Sequence, residues 1–475
     1  MSTAKRELPV TINTAPLYWE QHSRYDEQAE ALRQQILNLP DTLKAADGCD
    51  TYYISWRGDD AADGRSPETA WRTVANLGDL ARFRAGDAVL FERDGVYRNA
   101  AIVTVPGVSY GAYGEGPKPC LYAGDKDYAD PALWEKTDTP HLWRVKVPTD
   151  PKNRQDKMRN DIGNIVFDYG KILAGTTKRY RLEQVQSDFD FFHDVQEDYL
   201  YLYLRWGNPG ALYKSIEIVP KLCAFYCRDY RGLTIENICM KYAFYGVSAA
   251  GCNDVVIRGC EIGYIGGSLA AYDQVRAGNG IEIYADCDNV LVENCWIYHC
   301  FDAGYTNQGP GTQQNITIRG NLMEYSQYNI EVWVSRSEPS KMANSVFEDN
   351  ILRFAGYSFG SFNRINSSSC ACANISACVA DTIPSENFTI KNNVLDCSYR
   401  YLLRMTMTND PDGVEPVVTD NVWVQKPFEN NDSVACVGHE GNFNDQTLLG
   451  CRDLDEMKAS VAKIDINPTA VIFEG

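Results

Sequence analysis

A short strand-like pattern recurs seven times in the second half of this 475-residue chain, and it constrains the fold more than any other feature. The copies read TIEN, VIRGC, LVENC, TIRGN, VFEDN, TIKNN and VVTDN. They begin at Thr234, Val256, Leu291, Thr317, Val346, Thr389 and Val417. Their fifth position (Ile238, Cys260, Cys295, Asn321, Asn350, Asn393, Asn421) recurs after 22, 35, 26, 29, 43 and 28 residues. A strand closed by Asn or Gly and repeated at such intervals is the pattern of a parallel β-solenoid. Each coil buries its apolar face only against its neighbours, so stacking is obligatory. Side chains that share a register then form flat columns on the outside, where chemistry can be placed.

Composition narrows the partners. Hydrophobic residues make up 44% of the chain, enough for a core, and no apolar run is long enough to span a membrane. The net charge of −19 opposes binding to nucleic acid or to anionic membranes, and weighs mildly against polyanionic substrates. The first 28 residues contain no apolar signal-peptide core, so a cytoplasmic location is expected. Sixteen cysteines in a chain of this length are expected to be reduced thiols, with Cys260 and Cys295 stacked in one register. Cys223-x3-Cys227 and Cys370-x-Cys372-x5-Cys378 lack partner clusters at zinc spacing, so no metal site is expected.

Five stretches are distinguished. Residues 1–48 form an N-terminal segment, with an amphipathic helix of about six turns expected over 18–43 from the spacing of Ala29, Leu32, Ile36 and Leu39. That helix is a candidate cap for the first coil or a contact for homo-oligomerisation. Residues 49–124 read as the first coils, 125–218 as an inserted subdomain of short antiparallel strands, and 219–424 as the steady coils. Residues 425–475 lose the repeat and read as a C-terminal cap.

Several motifs carry a resemblance. Tyr53-Ile-Ser, Gly58-Asp-Asp, Asp63-Gly64, Ser66-Pro67 and Ala70-Trp71-Arg72-Thr73, followed by Ala85-Gly86-Asp87 and Tyr113-Gly-Glu-Gly-Pro117, resemble the opening coil of bacterial right-handed β-helix carbohydrate-active enzymes. The inserted subdomain is similar to that of β-helix glycoside hydrolases of the β-xylosidase type. The resemblance implies an all-β, right-handed parallel β-helix with an inserted β-rich subdomain and an N-terminal α-helix. It also implies carbohydrate chemistry, with an Asp and a Glu on neighbouring coils, but leaves the reaction open.

A second strand in each coil locates the candidate site. Gly246-Val247-Ser248, Gly280-Ile281-Glu282, Gly304-Tyr305-Thr306, Asn329-Ile330-Glu331 and Ser358-Phe359-Gly360 align. Alternation sends Ile281, Ile283, Ile330 and Val332 inward, so Glu282 and Glu331 face outward on either side of Thr306. Asp302 lies just before the middle strand, and its direction is open. Glycoside hydrolysis needs one protonated and one ionised carboxyl group. Asp302 is therefore assigned as nucleophile or base and Glu331 as general acid, with exchange of roles left open and Glu282 as a third carboxylate. The competing reading of each acid is a solvated strand face or, for Asp302, a turn residue.

Insertions after Ile262, Asn307 and Ser335 are expected to leave one edge and wall a pocket. Trp333, Tyr305, Thr306, His299, Arg276, Arg336 and Tyr328 are the candidate substrate-binding residues. Trp333 is favoured by its outward alternation, Tyr305 is expected to point inward, and His299 is expected to be a core or turn residue. The function expected is a glycosidase acting, in exo fashion, on an imported oligosaccharide or glycoside, with no cofactor. A lyase or epimerase acting on uronates is the rival, with Arg276, Arg336 or Lys341 as base and calcium as a candidate partner. A non-catalytic carbohydrate-binding solenoid is the third reading.

Overall fold

The computed structural model describes residues 21–153, 157–170, 176–271, 275–334, 340–362, 364, 372–379, 385–408, 416–427, 433–439 and 446–474. The chain is a right-handed parallel β-helix with three long sheets of ten strands each. The first sheet contains the seven repeats. Its strands stack in chain order from Thr51–Ile54 to Val417–Thr419. A second sheet, unmarked in the sequence reading, follows each repeat with short strands such as Cys239–Lys241 and Trp296–Cys300. The third sheet holds the strands Ile281–Tyr284 and Tyr328–Val334, which carry Glu282 and Glu331.

The fourth repeat position shows why the pattern demands small or amide residues. Asn237, Gly259, Asn294, Gly320, Asp349, Asn392 and Asp420 all have φ between +52° and +62°. Left-handed backbone of this kind is tolerated by Gly and, through short polar side chains, by Asn and Asp. The fifth position points inward at the same corner. Asn321 Nδ2 donates to Asn350 Oδ1 (2.9 Å), Asn350 to Asn393 (2.9 Å), Asn393 to Asn421 (3.1 Å) and Asn421 to Asp465 Oδ2 (3.1 Å). Each of these amides is fully buried, so the row satisfies groups that would otherwise be costly. Cys260 and Cys295 continue the same column as buried thiols.

One core cluster runs through the solenoid from Tyr52 to Val461. The segment 128–218 has its own core around Tyr128, Trp134, Phe167, Phe189, Phe191 and Tyr213. Its five-stranded sheet is antiparallel apart from the parallel pair Thr177–Lys178 with Asp190–Asp194. A separate antiparallel pair, Ile162–Phe167 with Ile216–Pro220, accompanies it.

The helix near the N-terminus spans Asp26–Leu37, half the length its spacing predicts. Pro40 biases Leu39 away from helical backbone. The Leu39 and Pro40 carbonyls then accept from Asn237 Nδ2, at 3.3 and 2.9 Å. The helix also does not cap the first coil. Ala29 and Ile36 pack with Leu322, Trp296 and Ile351 on the second sheet, so its apolar stripe is covered by its own solenoid. At the C-terminus, Ala470–Phe473 adds a last parallel strand to Val422–Gln425.

Candidate active site

The third sheet sets the site by register. Ser248 pairs with Glu282, Glu282 with Thr306, Thr306 with Glu331, Glu331 with Ser376 and Ser376 with Arg404. The strand that follows Tyr328–Val334 in this sheet is therefore Ala373–Val379, not the segment around Ser358 expected from the sequence. Residues Phe359–Phe362 instead form a short helix within a long connection. The inward neighbours Ile281, Ile283, Ile330 and Val332 are buried in the core, which fixes the outward direction of the column.

Outward does not mean solvated here. Glu282 and Glu331 each expose only 6% of their surface, and Thr306 none. Glu331 Oε2 accepts from Thr306 Oγ1 (3.1 Å) and from Gln308 Nε2 (3.0 Å). Burial, reinforced by the negative charge of Asp302, pushes the Glu331 carboxyl up to about 7. The two hydrogen bonds and the Arg364 guanidinium oppose that rise. Glu282 is also raised by burial, against a 2.9 Å hydrogen bond from Ser248 and the charge of Arg228. The Tyr245 phenol hydrogen-bonds Glu282, and its own ionisation is opposed by burial and by Glu282 and Asp302.

Asp302 sits one coil from Glu331. Its backbone N–H donates to the Gly278 carbonyl (3.0 Å), and its own carbonyl accepts from Tyr328 N–H (3.1 Å). Its carboxylate is ion-paired with Arg364, and its charge bears on Glu331, Tyr245 and Tyr328. Arg364 comes from the connection that follows the next coil but one, and its guanidinium lies over the Phe301 ring at 5.0 Å. Gly360 makes that approach feasible, since a Cβ there would stand 1.7 Å from the Phe301 carbonyl oxygen. Tyr328 is near the same groups, its phenol held protonated by burial and by the charge of Glu331.

Other candidates occupy different places. Trp333 is 39% exposed, in register with Gln308 and beside Glu331 on the outer face. Tyr305 is fully buried in the solenoid core with its hydroxyl on Asn307 Oδ1 (2.8 Å), so it is removed from the substrate-binding set. His299 is also removed. Its ring stacks between Tyr264 (5.5 Å) and Tyr325 (4.9 Å), and burial pushes its pKa down to about 3. Arg276 is buried against the inserted subdomain, donating to the carbonyls of Gly267 (2.5 Å) and Gly163 (2.9 Å), with Phe301 under its guanidinium. It is thus a structural clamp. Lys341 is ion-paired to Glu386 (3.0 Å), and Arg336 lies outside the described residues.

The expected pocket walls are also rearranged. The insertion after Ile262 forms the hairpin Ser268–Ala271 with Val275–Ala277, which joins the second sheet to the third. The segment after Asn307 is a tight turn between Ala303–Gly309 and Gly311–Arg319, at the opposite edge. The insertions after Ile262 and Asn307 therefore do not share an edge, and the insertion after Ser335 falls largely outside the described residues. The residues the sequence did not single out are Tyr245, Gln308, Arg364 and Arg404. Gln308 follows Thr306 by two and was accessible to alternation; Arg364 lies in an irregular connection with no periodic signal. Among the described residues no group of three or more His, Cys, Asp or Glu is arranged to hold a metal ion.

Residues 218–350 match the family model described as right handed beta helix region. No curated protein matches the chain. Among solved structures, the complex of XylC with xylose is similar at 11% identity, covering 82% of this chain and 86% of that one, with a TM-score of 0.41. A hyperthermoactive exopolygalacturonase from Thermotoga maritima is similar at 12% identity over 89% and 98%, with a TM-score of 0.38. Pectate lyase Pel9A is similar at 10% identity over 82% and 72%, with a TM-score of 0.37. At such values the likeness extends to no chemistry. What is established is the architecture: a right-handed parallel β-helix whose third sheet carries a buried column that includes two carboxylates, Glu282 and Glu331.

Proposed function

We propose that the protein is a glycoside hydrolase in which Glu331 is the general acid and Asp302 the nucleophile. The observation that carries this reading is the contrast between two acids on neighbouring coils. Glu331 is buried, with a carboxyl raised to about 7, whereas Asp302 is ion-paired to Arg364. Environments that separate paired carboxyl groups in this way divide them into acid and base at neutral pH. Asp302 stands opposite Gln327, four residues before Glu331 on the next coil, and retention requires the two carboxyl groups to come within about 5–5.5 Å.

In the first step Glu331 gives its proton to the glycosidic oxygen while the Asp302 carboxylate attacks the anomeric carbon. The C–O bond to the leaving alcohol breaks and a glycosyl ester forms. In the second step the Glu331 carboxylate takes a proton from water, which displaces Asp302 and releases the sugar. Gln308 and Thr306 hold the Glu331 oxygen in place. Glu282, held by Ser248 and Tyr245, is placed to accept from sugar hydroxyls, and Trp333 offers an aromatic face to a ring.

The test is release of sugar from a panel of nitrophenyl glycosides. Asp302→Asn is expected to abolish it. Glu331→Gln is expected to retain more activity on good leaving groups than on poor ones, because only the latter need the acid. Equal losses across leaving groups, or an unsaturated product absorbing in the ultraviolet from uronate chains, would sink the assignment. The lyase reading has lost two candidate bases, Arg276 to the subdomain clamp and Lys341 to Glu386.

A further inference from the structure

The outward column does not stop at Ser248. One coil earlier in the same register stands Tyr226, and beyond it Val103. These two side chains are 39% and 53% exposed, whereas Ser248, Glu282, Thr306 and Glu331 are almost closed off. The Arg228 guanidinium lies over the Tyr226 ring at 4.2 Å and donates to Ser248 Oγ at 3.3 Å; Ser248 in turn donates to Glu282 Oε2 at 2.9 Å. The shelf is thus linked, through one cation–ring contact and two hydrogen bonds, to a carboxylate of the candidate active site.

We propose that Tyr226, backed by Arg228, is a distal subsite for a pyranose ring of a neutral oligosaccharide lying along the solenoid axis. The inference rests on the glycosidase reading above. At about 4.8 Å per coil, Tyr226 is about 14 Å from the Thr306 coil, room for further sugar units between shelf and scissile bond. An aromatic ring with one face covered by a guanidinium presents its remaining surface to the apolar face of a sugar. Two carboxylates in this column, Glu282 and Glu331, with Asp302 beside it, disfavour a uronate chain, which selects neutral sugars. Tyr284, 40% exposed in the adjacent outward column, lies between Tyr226 and Trp333 along the axis and continues the aromatic face.

The experiment measures binding to the hydrolytically disabled Glu331→Gln protein by calorimetry. Xylo-, cello- and β-1,4-galacto-oligosaccharides of two to six units are the probes. Affinity is expected to rise with length in one series, and Tyr226→Ala in the same background to remove the increment, on the order of tenfold, for the longer chains only. Tyr226→Phe is expected to retain it. Length-independent binding, an increment untouched by Tyr226→Ala, or no binding in any series would overturn the proposal. So would a dimer in sedimentation that Tyr226→Ala dissolves, without an oligosaccharide increment, which would make the shelf a contact between copies. Length-dependent binding without hydrolysis by the unaltered protein would instead sink the glycosidase reading and leave the subsite standing.

Discussion

Replacing Asp302 by Asn removes one charge from the site and nearly preserves the shape. Glu331 rises from an ordinary 4.5 to about 7, which corresponds to about 3.4 kcal/mol of extra cost to ionise it. Burial is the larger cause and Asp302 the second. Two unit charges on the order of 10 Å apart at an effective dielectric of about 20 repel by about 1.7 kcal/mol. Arg364 is present before and after the exchange, so the whole of this repulsion, about 1.2 pH units, is removed. In the Asp302→Asn protein the Glu331 midpoint should fall by about that amount, with burial keeping it above 4.5. Arg364, released from its partner, pushes in the same direction. The assay is a carbon-13 titration of protein labelled at the glutamate carboxyl carbon, with Glu331→Gln identifying the resonance. An unchanged or higher midpoint would refute the reasoning, because it would mean that Asp302 does not face Glu331.

The remaining predictions follow from the same contacts. Arg364→Met removes the cation that opposes protonation of Glu331, so its midpoint should rise above 7 and the alkaline limb of the pH–rate profile should move up with it. A carboxyl whose folded value is raised contributes stability fully present below its unfolded 4.5 and lost as pH rises through about 7. Glu331→Gln should therefore match the unaltered protein in thermal unfolding at pH 4 and exceed it at pH 8.5, by up to about 3 kcal/mol. Gly360→Ala places a methyl group against the Phe301 carbonyl and should push the connection carrying Arg364 away. It should depress glycoside hydrolysis while far-ultraviolet circular dichroism stays unchanged. Asn350→Ala strands the amide of Asn321 and the Ile318 carbonyl inside the core, and should cost about 2–4 kcal/mol in denaturant unfolding.

The solenoid was legible because its rule is local. Left-handed backbone at the fourth repeat position restricts the residue to Gly, Asn or Asp, and that restriction is written in the letters. The column of Glu282, Thr306 and Glu331 was legible for a similar reason, since period-two alternation and a shared register are sequence properties. Arg364 was not, because it reaches Asp302 by way of a connection that folds back over two coils. The second sheet escaped notice because its strands are short; Cys239–Lys241 and Leu322–Glu324 have three residues each, too few to show alternation. His299 illustrates another limit. It precedes Asp302 by three residues, yet its left-handed φ of 50° turns its ring into the stack with Tyr264 and Tyr325.

The row of buried amides from Asn321 to Asp465 has a direction. Each Nδ2 gives one hydrogen to the next member toward the C-terminus and one back to a main-chain carbonyl, and each Oδ1 within the row receives from the N-terminal side. Asp465 has acceptors but no amide hydrogen, so it can only be the last member. A chain cut before it would leave Asn421 with a donor facing nothing, and fraying would travel back one coil at a time. Removing the whole interval between two ladder positions, such as the 28 residues from Asn393 to Asn421, would instead join equivalent partners. The amide row thus makes the coil, not the residue, the unit in which this protein can change length.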